Sequence, residues 1–172
     1  GKKVDQFIEY FRENFGVSRY VLAEKFIADY LHMDFDDGVY SHILKKYSDN
    51  CILLYNECSF TKNFFDFINY YENKNLFVAS GSDEEELRKV FTNRNIMQYF
   101  TEVYGSPARK TEIIKKIIDD YEKPVMVGDS ISDKKAAEEN DIDFIFMNGY
   151  STNGNIKKDY SLTCIEDLSD LL

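Results

Sequence analysis

The chain has 172 residues, with 21 Lys and Arg against 31 Asp and Glu, and so carries a formal charge of −10. At 44% hydrophobic and 16% aromatic it can close the core of one domain, or a core with a small accessory domain, and the spread of those residues argues against disorder. Without a Lys/Arg stripe on this acidic background, nucleic acid is not an expected partner, because phosphate-backbone affinity comes from clustered cations releasing counterions.

Up to about residue 60 the apolar residues recur at helical spacing: Val4, Phe7 and Phe11, then Leu22, Phe26 and Tyr30, then Ile43, Leu44 and Tyr47. No strand is expected there. Within this part Gly38 reads as a helix stop, and the aspartates beside it favour the next helix start. From about residue 61 short apolar runs alternate with amphipathic helices. Phe64, Phe65, Phe67, Ile68 and Tyr71 predict a helix, and Leu76 to Ala79 a buried strand ending at Ser80-Gly81-Ser82. Ser82 with Glu85 reads as a capping box opening a helix through Leu87, Val90 and Phe91. A short strand at Glu102 to Tyr104 is followed by a helix carrying Ile113, Ile114 and Ile117, and Pro124 introduces a strand at Val125 to Val127. Ser132 is expected to cap a helix through Ala136 and Ala137, before a last strand at Phe144 to Phe146. This alternation predicts the α/β class, a parallel sheet flanked by helices.

The longest apolar stretches, such as Cys51 to Tyr55, fall far short of the roughly 18 to 20 residues of a membrane helix, so no membrane partner is expected. The N-terminus lacks the apolar core of a secretory signal. Cys51, Cys58 and Cys164 form no Cys-x-x-Cys pair, and His32 and His42 are the only histidines, which points to idle thiols in a reducing cytoplasm rather than a zinc or disulfide framework.

In open parallel sheets ligands sit beyond the carboxyl ends of the strands, which makes the turn residues site candidates. Gly128-Asp129-Ser130-Ile131-Ser132-Asp133 sets two carboxylates across a strand-to-helix turn. Such oxygen ligands suit Mg²⁺, although Asp129 also reads as a turn residue and Asp133 as an acid favouring a helix N-terminus. Lys110, just inside a helix start, is either a solvated lysine or a cation placed there for a ligand. Ser80 alone is an ordinary turn residue.

In combination they are more specific. Ser80 after one strand, Lys110 after the next, and Gly128-Asp129 through Asp133 after the third resemble the second, third and fourth motifs of the haloacid dehalogenase-like hydrolases. The segments Leu76 to Ser82, Tyr104 to Lys110 and Val127 to Asp133 look like the phosphoglycolate-phosphatase-like branch, and Gly16-Val17-Ser18-Arg19 is similar to the opening of its helical cap. The resemblance implies a Rossmannoid parallel-sheet core over 61–172 with an all-helical cap over 1–60. It implies a Mg²⁺-dependent phosphatase acting on a small phosphorylated metabolite through an aspartyl-phosphate intermediate. Ser80, Gly81 and Ser82 would bind the phosphoryl oxygens, Lys110 the phosphate and the nucleophile, and Asp129 and Asp133 the metal. Arg19 would reach the distal end of the substrate, or form a structural ion pair instead.

One expected part does not match. In this family a strand ending in Asp-x-Asp supplies the nucleophile ahead of the cap. Asp34-Phe35-Asp36-Asp37-Gly38 is the nearest string, but Asp37 intervenes before the glycine and no strand precedes it. The chain is therefore expected to be an inactive fragment whose parent carries the nucleophile upstream. The rivals are a phosphomutase with the same motifs, a non-catalytic phosphate-binding or regulatory module, and a phospho-accepting receiver domain, which would need an aspartate where Ser80 stands.

Overall fold

The computed structural model describes residues 2–14, 16–121, 124–151, 156 and 161–172. The N-terminal part is helical: α1 (Lys2–Glu13), α2 (Arg19–Lys25), which runs on into a π-helical segment (Phe26–Leu31), and α3 (Asp37–Glu57). The helical spacing read from the sequence brings Phe7 of α1 within 4.6 Å of the Phe26 ring and 5.2 Å of Tyr30, an aromatic seam in edge and tilted geometries. Gly38 does not stop a helix. The stop is His32, left-handed at φ 55°, while Gly38 sits in the first turn of α3 behind its N-cap Asp36, whose carboxylate accepts the Val39 N–H at 2.8 Å. The Asp36 side chain satisfies an amide with no helical partner at that end, so the helix can begin just ahead of a glycine.

After α4 (Phe64–Tyr70) the chain alternates as expected: β1 (Phe77–Asp83), α5 (Glu84–Asn93), β2 (Glu102–Ser106), α6 (Lys110–Asp120), β3 (Val125–Gly128), α7 (Ile131–Glu139) and β4 (Asp143–Met147). A three-residue strand, β5 (Thr163–Ile165), has no counterpart in the sequence reading, because three residues are too few to show a period. All pairings are parallel. β1 pairs with β2 through Val78↔Val103, and β3 pairs with β4, which pairs with β5. Val103 and Phe146 are fully buried at the centres of these two groups, and Ala136 and Ala137 bring α7 onto β3 and β4. The two groups share no ladder: β1 and β3 are not hydrogen-bonded to each other.

The helical part is fastened to the first group. Tyr20 donates to Asp83 Oδ2 at 2.6 Å, Tyr55 and Ser82 share a hydrogen bond at 2.8 Å, and Arg94 donates to the Tyr55 and Cys58 carbonyls at 2.9 and 2.8 Å. Ser82 is thereby turned away from α5, whose cap is Asp83, accepting the Glu86 N–H at 3.0 Å. The expected capping box does not form, and the cap moves one residue on to Asp83, because β1 continues in extended form through Ser82.

The Tyr20–Asp83 contact has a pH signature. Burial opposes the Asp83 charge, but the Tyr20 hydroxyl, the α5 amides and Arg19 together hold its pKa below the usual carboxylate range. The hydrogen bond to Asp83, followed by burial, pushes Tyr20 up to about 12. The depressed carboxylate contributes stability above its unfolded pKa of about 3.9 and loses it as pH falls through the folded value. The raised phenol contributes below its unfolded pKa of about 10 and loses it as pH climbs toward the folded value. Tyr20→Phe is expected to cost about 1 kcal/mol near neutrality, at the low end because both groups keep partial solvent contact. Urea unfolding of both proteins at about pH 3, 7 and 11 should show the difference largest in the middle.

No helix among the described residues is long and apolar enough to cross a membrane.

Candidate active site

The carboxyl ends of β1 and β3 open into one cavity of about 570 Å³. Val78 to Ser82 line it from the β1 side, Val127 to Ser130 from the β3 side, and Lys110 and Asp133 complete that wall. Three turns distant in sequence converge here because parallel strands end at the same edge of the layer.

Lys110 opens α6, and its ammonium donates to Asp133 Oδ1 at 2.5 Å and Ser132 Oγ at 3.2 Å. The pair is nearly dry, with side-chain exposures of 12% and 7%. The other oxygen of Asp133 accepts the Ser130 N–H at 3.0 Å and the Ser130 hydroxyl at 2.6 Å, while Ser130 Oγ caps α7 by accepting the Asp133 N–H at 3.2 Å. The helix cap is therefore Ser130 and not Ser132. Ser130 holds the extended backbone of a cap at φ −123°, ψ 159°, whereas Ser132 lies within the first turn and faces Lys110.

Both Asp133 oxygens are engaged by these partners. For Asp129, burial first and then the neighbouring Asp133 charge raise the pKa, against its own backbone N–H and Lys110. Two close carboxylates in a desolvated turn are the donor chemistry a hard divalent cation relieves. No group of three or more His, Cys, Asp or Glu side chains gathers as a metal cage among the described residues. The set fits Mg²⁺, which keeps waters and takes one or two carboxylates with substrate phosphate, and does not fit a cation needing a full protein cage.

On the opposite wall Ser80 Oγ accepts the Ser82 N–H at 3.1 Å within the irregular end of β1, where the backbone at Gly81 lies next to the cavity. The Ser106 hydroxyl fixes that segment by donating to the Gly81 carbonyl at 2.8 Å.

The sequence profile of the haloacid dehalogenase-like hydrolases matches residues 5–147, most of the chain. The chain belongs to this family.

Solved structures share the fold of this hydrolase at low identity. A haloacid dehalogenase-like family hydrolase of Streptococcus pneumoniae is 14% identical with a TM-score of 0.68, the match covering 98% of this chain and 88% of that one. A presumed phosphoglycolate phosphatase of Lactobacillus plantarum is 12% identical with a TM-score of 0.68, covering 99% and 87%. A presumed hydrolase of the family from Bacillus subtilis, solved bound to magnesium, is 14% identical with a TM-score of 0.65, covering 99% and 78%. Comparison with the curated proteins gives no match.

The helical part of the hydrolase lies directly on this site. Gly16 is left-handed at φ 87°, and a Cβ there would stand 2.7 Å from Ser132 Oγ and 3.3 Å from Lys110 Nζ. Its carbonyl faces Gly81, where a Cβ would approach to 2.4 Å. Only a glycine at position 81 permits this approach, because a Cβ there would meet the backbone oxygen of residue 16. Gly81→Ala is accordingly expected to push the two parts apart and to cost about 1–3 kcal/mol in urea unfolding. Arg19 reaches the same cavity. Its Nη1 donates to Glu86 Oε2 at 2.7 Å and Ser48 Oγ at 2.8 Å, and the guanidinium lies 4.9 Å from the Tyr47 ring centroid. Burial works against the Arg19 charge, but the Glu86 hydrogen bond and charge hold its pKa above the ordinary value. The ion pair considered from the sequence is present, and the cavity contact is present with it. Asp34 and Asp36 line no part of the cavity.

The sequence assigns no site role to Gly16 and Ser130, which line the cavity, or to Ser132 and Glu86, which bond to its lining residues Lys110 and Arg19. Ser130 lies three residues ahead of Asp133, the capping-box spacing that could have signalled the Ser130 cap; Glu86 had no such signal, since its partner Arg19 is far away in sequence.

Proposed function

We propose that this hydrolase is the larger part of a Mg²⁺-dependent phosphatase for small phosphorylated metabolites, whose nucleophile arrives on a strand seated between β1 and β3. One observation carries the reading: Ser80, Lys110 and Asp129 border a single cavity, and among the described residues the β1 and β3 edges lining it have no hydrogen-bonded strand between them. Unpaired strand edges beside an apolar layer are costly, and a parallel strand placed there would satisfy both. Its carboxyl end would emerge beside Lys110. The first aspartate of an Asp-x-Asp at that end would attack phosphorus and break its bond to the ester oxygen, which leaves as the alcohol on taking a proton from the second aspartate; water, giving its proton back to that aspartate, would then attack the acyl phosphate, releasing inorganic phosphate and the carboxylate.

Ser80 and the backbone N–H groups at Gly81 and Ser82 would donate to the phosphoryl oxygens. Lys110 would hold the phosphate and the incoming carboxylate, exchanging part of its contact with Asp133. Asp129 would be the direct Mg²⁺ ligand, with Asp133 acting through water because its oxygens already serve Ser130 and Lys110. When bound, Mg²⁺ supplies compensation for the charge of the anionic substrate on an acidic protein. Arg19 would meet the distal end of the substrate. The proposed setting is the cytoplasm.

The test is turnover of an aryl phosphate with Mg²⁺ by the 172-residue chain and by a parent form extended upstream by roughly 20 to 30 residues, one strand and a connection. Activity only in the extended form is expected. Activity in the short chain would overturn the reading, and inactivity of both would favour the non-catalytic phosphate-binding module.

A further inference from the structure

We propose that Ser106 is a positioning residue for Ser80: its buried hydroxyl holds the looped-out end of β1 so that the Ser80 O–H proton faces the cavity, a role that rests on the reading of Ser80 as a donor to the phosphoryl oxygens. The ladder between β1 and β2 runs in step through Phe77↔Glu102, Val78↔Val103 and Ala79↔Tyr104, and next pairs Asp83 with Ser106. Ser80, Gly81 and Ser82 therefore stand opposite Gly105 alone. This is an enlarged bulge, and a bulge beside a site re-aims the side chains it carries. Within it Ser106, only 1% exposed, donates from its side chain to the Gly81 carbonyl at 2.8 Å.

Peptide geometry carries the effect to Ser80. The Gly81 carbonyl and the Ser82 N–H belong to one planar trans unit and point to opposite sides of it. With the carbonyl drawn to Ser106, the N–H is turned the other way, where it donates to Ser80 Oγ at 3.1 Å. A hydroxyl has one proton and two lone pairs, and a lone pair given to the Ser82 amide points the proton elsewhere. Ser80 lines the cavity, so that proton is left for an anion there. The end of β2 that carries Ser106 is itself fixed. The Gly105 N–H donates to Glu84 Oε2 at 2.9 Å, and a Cβ at Gly105 would stand 2.5 Å from the Ser82 carbonyl oxygen, so only a glycine lets β2 approach the bulge this closely.

The test titrates inorganic phosphate, in Mg²⁺, into the ¹⁵N-labelled 172-residue chain and into its Ser80→Ala, Ser106→Ala and doubly substituted forms. Ser80→Ala is expected to weaken phosphate binding about tenfold, the scale of one hydrogen bond to a charged group. Ser106→Ala should weaken it about three- to tenfold and speed solvent exchange of the Ser82 amide. In the Ser80→Ala background the second substitution should weaken binding no further, because Ser106 acts through Ser80, whereas independent effects would multiply. If Ser106→Ala does not give a dispersed spectrum, Ser106→Cys takes its place, keeping a side chain of similar shape with a weaker donor. Unchanged phosphate affinity on substitution of Ser106, or the same loss repeated in the Ser80→Ala background, overturns the proposal and leaves Ser80 standing as a phosphate donor. Equal binding by Ser80→Ala and the unmodified chain, or no binding by either, overturns the reading of Ser80 and this proposal with it.

Discussion

Replacing Asp133 by Ala is expected to lower the unfolding free energy by about 3–5 kcal/mol, the cost of removing one partner from a buried ion pair. Three contacts go at once: the Lys110 ammonium at 2.5 Å, the Ser130 N–H at 3.0 Å and the Ser130 hydroxyl at 2.6 Å. Lys110 is left as a nearly buried cation with only Ser132 beside it. In a chain of this size each kcal/mol shifts the midpoint by about 2–4 °C, so a fall of roughly 6–20 °C should appear in a thermal melt followed by circular dichroism. Asp133→Asn should fall between the two, because its carbonyl oxygen can still accept from Ser130 but the charge facing Lys110 is gone. A melt of Asp133→Ala within about 1 °C of the unmodified protein would show the pair to be energetically idle.

The second large effect is on chemistry. In the upstream-extended protein Lys110→Ala is expected to lower kcat by about 10²- to 10³-fold, the usual loss when one preorganised group aimed at transition-state charge is removed. The same substitution should cost less stability than Asp133→Ala, since Asp133 keeps its two bonds from Ser130. Comparing kcat with the melting midpoint for both variants separates the roles: Lys110 should stand out in rate and Asp133 in stability. Equal kcat in Lys110→Ala and the unmodified extended protein would remove this lysine from the proposed mechanism.

The candidate site was legible where it depended on strand ends. Ser80, Lys110 and Asp129 each follow a strand whose apolar run is readable, and parallel strands bring such turns to one edge. Readings that depended on a single residue of register went wrong. Ser82 lost the α5 cap to Asp83 because β1 stays extended through it, and Ser132 lost the α7 cap to Ser130 because Ser130 has the extended backbone a cap needs. Gly38 lost its role as a stop because His32 had already ended the preceding helical segment.

The sequence by itself determined the helical character of the first part, the alternation of parallel strands and helices, the turn residues, and the family, since these rest on local periodicity and on motifs short enough to be read along the chain. Only the tertiary structure decided that Asp133 is engaged by Lys110 and Ser130, that Gly16 lies against Gly81, and that Arg19 is held by Glu86. Those facts join residues that are distant in sequence, where no local period carries information about which charge will meet which. Part of the acidity of the chain is likewise placed by the fold, at the start of α5 beside Arg19, where Glu86 pairs with that guanidinium.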